Sequence, residues 1–148
     1  MGVGNAWRSD DGAGLAVARR LADELPGVDV LEREGEPTSL IDAWAGAEAV
    51  WVVDAVASDA APGTVHRLDA SRAELPATLF RTSTHHISLA ETVELARVLD
   101  RLPARLVVYG IEGASFETGE ALTPAVAAAV DRAAESIREE VAACTSGR

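Results

Sequence analysis

The chain has 148 residues, with 13 arginines and no lysine set against 24 acidic side chains, for a formal charge of −11 at pH 7. That length supports one domain with a real core, spanning residues 1–148, and is too short for two. The negative field excludes nucleic acid and anionic membrane as partners. The absence of lysine closes Schiff-base chemistry, and the single cysteine, Cys144, rules out an internal disulfide.

The first residues lack an apolar signal region, and no apolar run approaches the roughly 18 residues of a membrane span, so the cytoplasm is the expected compartment. Met1 to Val3 read as the tail of a strand that ends in a glycine turn at Gly4. A strand of such a domain needs about 5–6 residues, so the first strand is either stunted or lacks residues ahead of Met1, and exposed sheet edges are expected. From Asp10 the spacing of Ala13, Leu15, Ala16, Ala18, Leu21 and Leu25 is helical, closed by Pro26-Gly27. Val28 to Leu31 reads as a strand, and Thr38 or Ser39 as the cap of a short helix ended by Gly46.

Ala49 to Val53 is a continuous β-branched run, the pattern of a strand buried on both faces. Pro62-Gly63 turns the chain into an alternating, half-exposed strand from Thr64 to Leu68. Ser88 or Leu89 opens a helix through Leu99, Leu106 to Ile111 is a second buried strand, and Pro124 starts a long alanine-rich helix to about Ala143. Strands alternating with helices predict a three-layer α/β/α sandwich, and in such sheets the site lies beyond the carboxyl ends of the strands. That places attention after Val3, Val53 and Ile111.

Those positions carry the unusual residues. Gly2-Val3-Gly4-Asn5-Ala6-Trp7-Arg8-Ser9-Asp10-Asp11-Gly12-Ala13-Gly14 puts glycines after a strand and two acids at a helix start. One aspartate suffices to cap the helix, which leaves the second to bind something. A dinucleotide fingerprint fails here, because Trp7 stands where its third glycine belongs and the acids would repel a pyrophosphate. Asp54 follows the buried run directly, as a turn residue, metal ligand or general base. Ser83-Thr84-His85-His86 precedes a helix, and adjacent histidines diverge, so one of them serves a given site. Carboxylate and imidazole donors suit a borderline metal such as nickel or zinc. Glu112 lies beyond the last buried strand, ahead of Leu122-Thr123-Pro124, where Thr123 reads as an N-cap.

Taken in order, these segments resemble the hydrogenase maturation protease family over nearly the whole chain. The most specific piece is Gly-x-Gly-Asn-x-x-Arg-x-Asp-Asp-Gly-x-Gly, met by Gly2, Gly4, Asn5, Arg8, Asp10, Asp11, Gly12 and Gly14. It is followed by Asp54-Ala55, Ser83-x-His85, Gly110-Ile111-Glu112 and Leu122-Thr123-Pro124. The resemblance implies a twisted, mostly parallel mixed sheet of about five strands with helices on both faces. It implies a metal site built from Asp11, Asp54 and His85, with Asn5, Arg8 and Glu112 as substrate contacts and His86 facing solvent or supporting His85.

The implied activity is endoproteolysis: removal of the C-terminal extension of a nickel-loaded [NiFe]-hydrogenase large-subunit precursor, by a protein acting as a monomer. The nickel arrives with the substrate and no organic cofactor is needed. Asp11, Asp54 and His85 complete its coordination, and Asp10 takes the proton from the attacking water; an aspartic-type mechanism with paired carboxylates stays open. The rival readings are a non-catalytic nickel-checking chaperone of the same precursor and a small-molecule hydrolase or nucleotide-binding α/β protein. Many family members carry proline after the glutamate, where this chain has Gly113, and the substitution implies a looser loop.

Overall fold

The computed structural model describes residues 1–80, 87–119 and 121–146. In chain order they form β1 (Gly2–Val3), a 3-10 turn (Ser9–Gly12), α1 (Ala13–Glu24), β2 (Glu32–Arg33), α2 (Pro37–Trp44) and β3 (Ala49–Val56). β4 (Val65–Asp69), α3 (Leu89–Val98), β5 (Arg105–Glu112) and α4 (Pro124–Ser146) follow. The strands make one sheet in the order β2-β1-β3-β5-β4. All neighbours are parallel except β4, which runs antiparallel to β5 at the edge.

Alternation along the central strands divides the core into two. Val52 and Val56 of β3 and Leu106 and Val108 of β5 face one side, against Leu40, Ile41 and Trp44 of α2 and Leu89 and Val93 of α3. Val53, Ala55, Val107, Tyr109 and Ile111 face the other side, against Val17 and Leu21 of α1 and Val126, Val130 and Ile137 of α4. Helices therefore cover both faces, which is the expected sandwich, and residues with period two on the strands meet apolar stripes on the helices.

Three boundaries differ from the sequence reading. Val28–Leu31 is not a strand; the pairing falls on Glu32–Arg33, because β1 presents two residues to pair with and the register sets Gly2 opposite Glu32. The short helix starts at Pro37, with Glu36 rather than Thr38 or Ser39 in the N-cap position, since proline is pre-organised for the first helical residue. Asp54 lies within β3 and not after it, opposite Gly110 of β5. An apolar cavity of about 290 Å³ lies beside Met1, bordered by Leu21, Leu25, Leu31, Trp44 and Trp51.

Two glycines hold the carboxyl end of the sheet together. Gly14, in the first turn of α1, packs so tightly on β1 and β3 that a Cβ would overlap the carbonyl oxygens of Val3 and Val53. Gly4 leaves β1 with φ +151°, and a Cβ there would overlap the Asp11 carbonyl. The glycine pattern thus presses the Asp11 segment onto the end of the sheet.

Candidate active site

The chain leaves β1, places α1 and β2 to one side, then crosses to β3 on the other side of β1. The strand order reverses between β1 and β3, the place at which open α/β sheets bind their ligands. Asp11 arrives there from the 3-10 turn and Asp54 from β3. Asp11 is 7% exposed, and its Oδ2 accepts the Asn5 N–H at 3.0 Å. Asp54 is partly exposed. Burial, then the negative charge of Asp11, push the Asp54 carboxyl from 3.8 up to about 8. Near neutral pH Asp54 therefore holds a proton beside the Asp11 carboxylate, an arrangement suited to sharing one proton or one cation.

The ion-free protein should show this in its stability. A carboxyl whose pKa is raised on folding contributes stability below its unfolded pKa, and loses it as pH rises through the folded value. For Asp54 that window runs from 3.8 to about 8. Urea melts of Asp54→Asn and wild type should coincide near the acid end, with the variant increasingly the more stable towards pH 8. A constant difference across the window would refute the raised Asp54 pKa.

Asp10 does something else. It is fully buried, and its carboxylate accepts the N–H groups of Ala114 at 2.7 Å, Ser115 at 3.0 Å and Thr123 at 2.8 Å, together with the Thr123 hydroxyl. Burial alone would raise its pKa, but the bonds from Thr123, Ala114 and Ser115 outweigh that and hold it below the usual carboxylate range. An acid so placed is a poor proton acceptor. It ties the β5–α4 connection to the 3-10 turn instead of capping α1, whose N-cap is Gly12 without a side-chain bond.

Glu112 closes β5 and is 1% exposed. Its oxygens accept the Ser58 N–H at 2.9 Å and the Ser58 hydroxyl, and lie 3.2 Å from His66 Nε2. Expected as a substrate contact, it holds the segment after β3 against β4. Gly113 is not loose: its N–H donates to the Val56 carbonyl at 2.9 Å, a bond proline cannot make, and a Cβ would press on Phe116 and Asp10. Asn5, expected as a substrate contact, orders its own turn: its carbonyl accepts the Arg8 N–H and its Oδ1 the Trp7 N–H. Arg8 is partly buried and bridges Gly119, and its Nη1 has no partner among the described residues.

The Ser83-x-His85 loop and His86 lie outside the described residues. Among the described residues no group of three or more histidine, cysteine, aspartate or glutamate side chains is arranged to hold a metal ion. Sequence reasoning missed two contributors: the Thr123 tie to Asp10, hidden inside an ordinary N-cap signature, and the Ser58–Glu112–His66 cluster. His66 carried only strand alternation as a signal. None of the helices is long and apolar enough to cross a membrane, among the described residues.

Comparison with known proteins gives the chain's family and fold neighbours. The family model described as hydrogenase maturation protease matches residues 15–140. The hydrogenase 2 maturation protease of Escherichia coli K12 is 30% identical over 143 residues, covering 93% of this chain and 85% of its own. A solved endopeptidase from E. coli superposes with a TM-score of 0.79 at 27% identity, over 92% of this chain and 86% of that one. The [NiFe] hydrogenase maturation protease HybD of Thermococcus kodakarensis does so with a TM-score of 0.69 at 28% identity, over 95% of both chains.

Proposed function

This chain belongs to the hydrogenase maturation protease family, and on that footing we propose that it is the endopeptidase that removes the C-terminal tail of a nickel-loaded [NiFe]-hydrogenase large-subunit precursor. The observation that carries the reading is the Asp11–Asp54 pair at the strand-order reversal, where burial and then the Asp11 charge raise the Asp54 pKa. Two oxygen-donor acids held together against their repulsion form a cation seat, because a divalent ion relieves the strain that protonation otherwise relieves. The ion belongs to the substrate. Asp11 and Asp54 grip it from one side, with His85 as the third donor, and the scissile peptide is presented to the same end of the sheet.

An aspartic-type reading is favoured by the same pair, since a protonated Asp54 beside an Asp11 carboxylate is an acid and a base in one site. Asp10, Asn5 and Glu112 position the segments that carry the pair, and Arg8 is the cationic contact for the peptide.

The deciding experiment incubates the purified protein with nickel-loaded and metal-free precursor and follows tail loss by mass spectrometry. Cutting of the nickel-loaded form alone is the expected result. Equal cutting of both would leave the acid pair as the whole chemistry and remove the metal-reading role. A stable complex without any mass change would identify a nickel-checking chaperone and overturn the proteolytic reading.

A further inference from the structure

Trp7 stands out among the three tryptophans. Trp44 is 1% exposed and Trp51 lies partly buried beneath the Arg105 guanidinium, but Trp7 leaves 65% of its surface to solvent. An exposed indole by itself is ordinary. This one sits on an unusually determined segment. Its N–H donates to Asn5 Oδ1 at 2.9 Å and its carbonyl accepts the Gly119 N–H at 2.8 Å. Ser9 N–H returns a bond to the Gly119 carbonyl at 2.7 Å. Asn5 in turn donates its N–H to Asp11 Oδ2 at 3.0 Å. Two hydrogen bonds therefore link the Trp7 backbone to a carboxylate of the acid pair.

Both backbone polar groups of Trp7 are engaged within the chain, so an incoming strand finds no free partner there and the contact on offer is the ring. An exposed aromatic side chain, on the order of 200 Å², carried on a backbone that is already hydrogen-bonded is the kind of group that dominates peptide recognition, because the main chain beneath it loses no further freedom on binding. Among the described residues, Val28 and Ile87 are exposed to a lesser degree than Trp7, and Leu95, Val98 and Leu99 lie at the end of α3 just before β5 begins, away from the carboxyl rim.

We infer that the Trp7 ring is a specificity-determining contact that docks an uncharged, apolar side chain of the precursor next to the bond to be cut. The inference rests on the proteolytic reading above and goes beyond it by naming the residue that reads the peptide and the side-chain class it reads.

The test uses the full chain, labelled with 5-fluorotryptophan, and the nickel-loaded precursor as probe. Trp7→Phe deletes one of the three fluorine resonances and so assigns it. Adding precursor should move the Trp7 resonance, and Trp7→Ala should raise KM about tenfold with kcat within about twofold and an unchanged melting temperature. Trp7→Phe, which keeps a flat ring, should stay within about threefold of wild type. Normal cutting with an unmoved resonance, or with an unchanged KM in Trp7→Ala, overturns the docking role and leaves proteolysis standing. A moved resonance without cutting by wild type keeps the docking role and removes the proteolytic reading. Neither movement nor cutting removes both.

Discussion

Asp11→Ala and Asp54→Ala are each expected to slow tail removal by about 10³-fold, the loss that accompanies removal of a positioned acid or base from the reacting atoms. The two residues come from separate segments that meet only where the sheet order reverses, and each lies in the other's field. Loss of either leaves a single carboxylate, which neither shares a proton nor offers two donors to an ion. Asp54→Asn is the sharper variant, since it preserves shape and burial while removing the titration that brings the Asp54 pKa to about 8. Time courses with nickel-loaded precursor, read by mass, give the rates, and circular dichroism reports whether each variant is folded. A folded Asp54→Asn protein cutting at the wild-type rate would take Asp54 out of the chemistry.

Asp10→Ala should cost stability more than any substitution at the acid pair, about 4 kcal/mol, because three N–H groups and one hydroxyl lose a buried, charged acceptor together. The loss is not local. Asp10 joins the 3-10 turn carrying Asp11 to the start of α4, across more than a hundred residues of sequence, so its removal loosens the very segment that brings Asp11 to the sheet. Thr123→Val, which removes the hydroxyl and keeps the N–H, should cost about 1 kcal/mol. Urea denaturation separates the two. Equal, small losses in both variants would show that Asp10 is not the tie described here.

Much of this architecture was legible from local pattern. β3 and β5 appear as apolar β-branched runs because strands covered on both faces have no polar side to show, and Ser88, Pro124 and Gly46 mark helix ends for steric and hydrogen-bonding reasons that act within a few residues. Asp11 and Asp54 stood out as candidate site residues for a similar reason: one is a second acid after a glycine turn and the other breaks an apolar run, and neither is needed as a cap. The family resemblance added the partner and the chemistry, and the family itself is now established by the match over residues 15–140.

What sequence alone determined, then, was the list of elements, the covered strands and the presence of acids at the rim, since these follow from periodicity and from each residue's own stereochemistry. Tertiary structure decided the division of labour. Asp10 and Asp11 are neighbours of the same type, yet one is surrounded by N–H donors from the β5–α4 connection and held ionised, while the other faces Asp54 and raises its pKa. Glu112 likewise looks open at a strand end until Ser58 and His66 close over it. Even Val28–Leu31, β-rich as it is, forms no strand, because a strand exists only where a neighbour supplies the other half of the ladder. Partners so distant along the chain leave no trace in local spacing, and they set charge, protonation and reach.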